Sequence, residues 1–418
     1  MSAAIALLRE NRAFRLLWCG QVVSQLGDWF NSVALYALLY QLTGSASSVA
    51  LMMVMQMLPA ALVGPGAGVI VDRWDRRKIM IAADLFRGVA ALGLLFVRSP
   101  SSVWFAYVVS GLMVSAVGFF EPARSASIPM IVPRDRLVTA NAVATATWSA
   151  MLAIGATAGG AVAAAFGRDA AFVLNSLSFF LSATVLWRLG PLQPVGRKAA
   201  SGWHGLVEGL AYLRAHRPVA WIALVKGGWA IVGGALLLVT VFGDRVFRPG
   251  GSGEAGIGIL FGARGIGAAT GSIFVTWLAR RSPAALTSWI GPAYLISGVC
   301  YATLGLAPTI WMAALSVLTA HVFGSILWVS SNVLLQSSVP DAFRGRVFAT
   351  ELVALATVQS AMAFVTAQAL DRFQISPRPL AIVIGFGLWI PAALWYLVAR
   401  RVCANILSVS PSSSASTV

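Results

Sequence analysis

Twelve apolar stretches, each long enough to cross a lipid bilayer and separated by short polar or Gly/Pro-bearing turns, decide what this chain can fold into. A span needs roughly 20 predominantly apolar residues, because a helix must rise through a hydrocarbon core about 30 Å thick. The stretches cover residues 14–40, 47–71, 79–97, 102–121, 140–165, 170–188, 218–242, 255–278, 286–306, 310–338, 348–370 and 380–399. With 58% hydrophobic and only 11% charged residues, the chain has more apolar surface than a water-soluble globule of 418 residues can hide. The expected class is an all-α membrane protein with twelve transmembrane helices in the lipid bilayer.

A net charge of +16 would suggest nucleic acid as partner in a soluble protein. Here the distribution supplies another reason. With the N-terminus in the cytoplasm, 21 of the 30 Lys and Arg residues fall on the cytoplasmic side. They include Arg9, Arg12, Arg15, Arg134, Arg136, Arg280, Arg281, Arg344, Arg346, Arg400 and Arg401. That is the positive-inside bias, so both termini are expected inside and no nucleic acid is expected. Cys19, Cys300 and Cys403 are isolated and odd in number, which gives no disulfide or metal framework. The first apolar run is too long for a cleavable signal peptide and is its own insertion signal.

Between the second and third runs stands Gly68–Lys78, GVIVDRWDRRK, two acids and four bases that must form a short aqueous hairpin between two membrane helices. Inside the spans, charges are few. Asp28 sits near the centre of the first span beside Trp29 and Asn31, and a carboxylate at that depth must face a water-filled cavity or a partner, or be protonated. A functional acid and a structural acid are both open. Asp84 and Arg87, three residues apart in the third span, share a helical face and can pair, either structurally or as a substrate contact. Lys226, two turns into the seventh span, is expected to snorkel to the interface rather than serve as counter-ion to Asp28. Arg264 cannot readily lose its charge and is expected to face a central cavity or a carboxylate. His321 is the only histidine expected inside a span, suited to proton traffic or to a hydrogen-bonded packing role.

The glycines of Gly256–Gly271, GIGILFGARGIGAATG, could pass for a dinucleotide loop, but a phosphate cradle follows a strand and opens into water. Embedded in an apolar span they are expected to form a thin packing face, as are Gly155, Gly159 and Gly160 in the fifth span. From Phe119 the chain reads FFEPARSASIPMIVPRDRLVTANAV, where Pro122, Pro129 and Pro133 are expected to break the fourth helix ahead of a basic loop. A weaker copy, Val-Pro followed by a basic turn, recurs at 337–351, Pro340 lying 207 residues after Pro133. Half-length spacing points to two duplicated halves. The expected organisation is a bundle over 1–188, a cytoplasmic linker over 189–217 carrying an amphipathic helix with Leu206, Leu210 and Leu213 on one face, a second bundle over 218–402, and a disordered Ser-rich tail over 403–418.

Gly68, Asp72, Arg73, Arg76, Arg77 and Lys78 resemble the signature between the second and third helices of the major facilitator superfamily, with Asp75 standing where the pattern has its second glycine. Pro122, Ala123, Arg124, Val132, Pro133, Ala140, Asn141 and Ala142 resemble the loop after the fourth helix in the efflux branch holding the enterobactin exporter and macrolide-efflux proteins. The superfamily's antiporter signature has Gly-Pro-x-x-Gly-Gly where this chain has Gly155-Ala156-Thr157-Ala158-Gly159-Gly160, so the proline is missing. The fourth span also lacks the buried arginine of many proton-coupled members.

The resemblance implies two six-helix bundles rocking about a central cavity. Gly68, Asp72, Arg73, Arg76 and Arg77 then belong to a gate at the inner mouth, with Glu121 as a partner across it. Asp28, the mid-membrane acid, is the candidate for proton coupling. Trp29, Phe30, Gln56, Trp148, Trp229, Arg264 and Trp328 are the cavity wall by depth. The implied activity is proton-driven export of a small amphipathic molecule, drug or siderophore-like, by a monomer in the bacterial cytoplasmic membrane, without cofactor or metal. Uptake or lipid translocation by the same architecture stays open. A membrane enzyme, such as a prenyl transferase using Asp72 and Asp75, would need a second acidic motif that Arg280-Arg281 does not supply.

Overall fold

The computed structural model describes residues 2–193, 202–279 and 283–409. Arg280, Arg281, part of the linker and the Ser-rich end of the tail lie outside the described residues. Among the described residues there is no strand. The membrane helices are α1 (Arg12–Thr43), α2 (Ala46–Met55 and Leu58–Val71), α3 (Arg76–Gly93), α4 (Val103–Ile131), α5 (Leu137–Phe166) and α6 (Arg168–Trp187). They continue as α7 (Arg217–Trp229 and Val232–Val241), α8 (Gly253–Ala279), α9 (Pro283–Leu306), α10 (Ile310–Ser338), α11 (Asp341–Asp371) and α12 (Pro377–Gly387 and Trp389–Val409). Eleven of these segments are long and apolar enough to cross a membrane. The twelfth, α1, is 32 residues long and more polar, and it packs along α5 and α6.

Helices α1–α6 form one bundle and α7–α12 the other, and they meet chiefly where α5 crosses α8 and α2 crosses α11. Glycines set the first crossing. A Cβ on Gly160 would stand 2.8 Å from the Cα of Gly258, and one on Gly265 would stand 2.3 Å from the amide nitrogen of Ala153. Only glycine lets the two backbones approach so closely. The Gly256–Gly271 run is therefore a packing face on both sides, since Gly267 and Gly271 press in the same way on Leu318 and Val322 of α10.

The bundles also join at the end of the molecule away from the chain termini. There Arg245 donates to the Gly44 carbonyl at 2.7 Å, Gln41 to Glu254 at 2.7 Å, and Asp371 accepts from the first turn of α2. At the opposite end, Gly64, Gly66 and Gly68 of α2 face open space, and Asn141 and Thr145 of α5 are exposed.

Several helices depart from the expected runs. The second span is two helices, because Pro59 in the first turn of Leu58–Val71 cannot donate to the preceding turn; Gln56 ends the upper piece. The seventh is interrupted at Ala230–Ile231 and closes in a π-turn at Phe242–Val246. Conversely, α4 runs through Pro122 and Pro129 and stops only before Pro133. In lipid a bent helix that keeps its remaining bonds is cheaper than free backbone, so those two prolines do not break it as expected. Pro133 and Pro340 both act as N-caps with nearly the same geometry, φ −56° and ψ 149° against φ −56° and ψ 147°, so the half-length copy has a structural counterpart.

The linker helix, Gly202–Ala215, is docked on α11. A Cβ on Gly209 would stand 2.5 Å from the Arg346 carbonyl oxygen, Arg346 pairs with Glu208 at 2.8 Å, and Tyr212 stacks on Phe343. Its glycine face meets the bundle, and Trp203, Val207 and Leu210 stay exposed.

Candidate functional site

A cavity of about 910 Å³ lies between the bundles, walled by α1, α2, α4 and α5 on one side and α7, α8, α10 and α11 on the other. That is the size of a small-molecule site. Trp29, Gln56, Trp148, Trp229, Arg264 and Trp328 line it, joined by Gln21, Tyr36, Phe261, His321 and Gln359. Phe30 does not line it. One residue around α1 from Trp29, its backbone is pressed against α5, where a Cβ on Gly159 would stand 2.7 Å from the Phe30 Cα. A glycine contact within the first bundle thus removes Phe30 from the wall.

The first bundle holds an ionic cluster with Arg87 at its centre. Arg87 bonds Asp84, lies 3.6 Å from Asp28 and donates to Ser24 at 3.3 Å. Asp84 in turn accepts from Ser182 at 2.6 Å. The Arg87 guanidinium stands 4.3 Å from the Phe179 ring centre and 4.9 Å from that of Phe120, so aromatic faces supply the rest of its surroundings. Asp84 is fully buried, whereas the Asp28 side chain is 40% exposed to the cavity. Two acids share one base, and the acid with water access is Asp28. The expected pair Asp84–Arg87 is therefore two-thirds of a triad, and the counter-ion of Asp28 is Arg87.

Lys226 does not snorkel. It is 4% exposed, donates to Glu351 and Asn332 at 2.7 Å each, and lies 4.9 Å from the Trp328 ring centre. Glu351 also accepts from Ser331 at 3.0 Å. Glu351 follows the Val-Pro turn on α11, and neither it nor its pairing was legible from local sequence.

Because α4 continues past Pro122, Glu121 and Arg124 lie on a helix lining the cavity rather than in a loop. Arg124 grips Glu121 through Nε and Nη2, the latter at 2.7 Å, and reaches Gln21 of α1 at 3.2 Å. Glu121 is thus held by its own helix, against the expectation of a partner across the inner mouth. The fourth helix does carry a cavity arginine after all.

On the other wall Arg264 projects from the glycine-lined α8 toward Trp29 and Phe261, with ring centres 5.9 and 5.6 Å from its guanidinium. No carboxylate pairs with it among the described residues. His321 is hydrogen-bonded to Tyr301 at 2.9 Å and meets the Trp229 ring edge to face. Across the cavity, Tyr36 donates to Gln56 at the break in α2.

In the hairpin at the open end, Asp72 lies 3.7 Å from Arg76, and Arg76 donates to the Ala126 carbonyl of α4 at 2.7 Å. Arg77 donates to the Leu189 carbonyl at 2.6 Å. Asp75 caps α3 through the Arg77 amide at 3.0 Å and also accepts from the Leu192 amide at 3.1 Å. The residue replacing a glycine of the pattern therefore fastens the start of the linker. Gly68 faces open space and Arg73 is exposed.

The chain matches the model of the Major Facilitator Superfamily over residues 17–350. It is 27% identical to YfiS, an uncharacterized MFS-type transporter of Bacillus subtilis (strain 168), over 82% of this chain and 83% of that protein. The enterobactin exporter EntS of Escherichia coli O81 (strain ED1a) is 27% identical over 82% of each chain. Macrolide efflux protein A of Streptococcus pyogenes is 36% identical over 30% of this chain and 31% of its own length. Among solved structures, a POT family transporter in complex with 5-aminolevulinic acid superposes with a TM-score of 0.75 at 10% identity, covering 94% of this chain and 97% of that one. At that identity the likeness speaks for the fold alone.

Proposed function

The chain belongs to the major facilitator superfamily, and from that premise we propose that it exports a small amphipathic molecule across a bacterial cytoplasmic membrane, as a monomer, in exchange for inward-moving protons. The reading takes both termini as cytoplasmic, in keeping with the 21 basic residues that this orientation puts inside. The cavity is then shut toward the outside and open to the cytoplasm, the state in which an exporter collects its load. The efflux proteins among the relatives support the direction.

The observation that carries the proposal is the half-exposed Asp28, tied to Arg87 within the first bundle. In the inward-open state the ionised carboxylate is held by Arg87. In the outward-open state it takes a proton from the external medium and releases Arg87, and on return it gives the proton to the cytoplasm. The hairpin residues Asp72, Arg73, Arg76 and Arg77 serve as the inner gate, which must close for the outer one to open.

The test is a pH-dye assay in inverted vesicles, challenged with a panel of siderophores, macrolides and lipophilic cations. At least one compound should drive protons out of acid-loaded vesicles that contain the protein and not out of vesicles that lack it. Gradient-independent movement of every transported compound would contradict proton antiport, and accumulation by intact cells would reverse the direction.

A further inference from the structure

We propose that the shut end of the cavity is a subsite for an anionic group, and that the transported molecule is an amphipathic organic anion. Its carboxylate, or a similar pair of acidic oxygens, docks on Arg264, with an adjoining ring against Trp29 and Phe261. The inference rests on the transport reading and adds the charge class of what is carried.

Among the described residues only two carboxylates line the cavity, Asp28 and Glu121, and each is already engaged, by Arg87 at 3.6 Å and by Arg124 at 2.7 Å. Among the described residues the two nearby tyrosine hydroxyls bond elsewhere: Tyr36 donates to Gln56, and Tyr301 pairs with His321. The Arg264 Nε is buried with no hydrogen-bond partner among the described residues. A guanidinium keeps its charge even when desolvated, so the site holds a permanent cation that the protein does not neutralise. Leaving such a charge unpaired is costly, and a planar oxyanion accepting two parallel N–H bonds is the ligand that removes the cost. The placement is built into the helix. Gly258, Gly262 and Gly265 bring α8 against Ala156, Thr157 and Ala153 of α5, which leaves the Arg264 side chain only the cavity to enter.

Three probes of matched shape test this on the purified full-length protein in detergent by isothermal titration: 2-naphthoate, 2-naphthamide and 2-naphthylmethylammonium. Naphthoate should bind at least about tenfold more tightly than the other two, and Arg264→Gln should abolish that preference for the anion. Equal affinity for amide or ammonium, no binding of naphthoate, or full naphthoate affinity in Arg264→Gln overturns the proposal. If that variant does not fold, phenylglyoxal modification of Arg264 in the unaltered protein, read by mass spectrometry, decides. Naphthoate should protect it and naphthamide should not, and equal protection refutes the subsite. Selective anion binding without proton-driven transport would sink the export reading and leave the subsite standing. Proton-driven transport indifferent to substrate charge would do the reverse.

Discussion

Asp371, the last residue of α11, holds Ser45 at the start of α2: its carboxylate accepts from the Ser45 hydroxyl at 2.6 Å, and from the Ala46 and Ser47 amides at 2.9 and 2.7 Å. One bundle thus caps a helix of the other. The first amides of a helix have no partner within it, and a negative group there also meets the positive end of the helix dipole.

Removing a cap of this kind costs about 1 kcal/mol, which is roughly a fivefold shift in a two-state equilibrium. Asp371→Ala should therefore favour the outward-open state. A cysteine at Ser32, in the cavity wall, should react severalfold faster with a membrane-impermeant maleimide added outside. An unchanged rate would mean that the cap does not hold the outer end.

Sterics at the α5–α8 crossing should act in the same direction. A valine at Gly160 cannot coexist with Gly258 at the observed approach, so Gly160→Val should prevent outer closure and abolish transport while the protein still inserts and elutes as a single species. Wild-type transport by this variant would show that the shut end is looser than the backbone approach implies.

The two acids beside Arg87 should separate in their effects. Asp84→Asn removes the closest partner of a buried guanidinium and should lower stability by about 3 kcal/mol, seen as earlier unfolding in detergent. Asp28 is partly exposed, so Asp28→Asn should change stability by about 1 kcal/mol or less yet eliminate proton movement linked to substrate. Full coupling in Asp28→Asn would remove that residue from the mechanism.

Lys226 and Glu351 form a buried pair in the second bundle, and removing either alone should cost about 3 to 5 kcal/mol by stranding the other. The apolar double replacement Lys226→Met with Glu351→Leu should recover most of that loss. Thermal unfolding of the four proteins gives the coupling, and additive losses would show that the pair contributes nothing as a pair.

The membrane helices and the hairpin were legible because bilayer thickness and water access leave marks on every residue of a span. The wall residues Trp29, Trp148 and Trp229 agree with their depth, although Phe86 and Phe364 show that aromatic groups in these helices can also stay exposed. What sequence did not reveal depends on contacts between distant helices. Phe30 turns away because Gly159 lets α5 reach its backbone. Lys226 stays inside because Glu351, more than a hundred residues on, meets it. Glu121 and Arg124 enter the cavity because lipid favours continuing α4 through Pro122. A local proline rule, sound in water, has a different balance here.

Alternating access is tested most directly by paired distances in a cysteine-free background. Spin labels would stand at Ser101 and Arg248 on the loops that the proposed orientation puts outside, and at Lys78 and Gln336 on the ends that it puts inside. Double electron–electron resonance in nanodiscs, at about pH 5 and about pH 8 to vary the supply of protons, reports both ends of the same molecule. Rocking of two bundles predicts that any population with a longer outer distance has a shorter inner one, and that Asp371→Ala enlarges it. Outer and inner distances that stay fixed, or lengthen together, would contradict it.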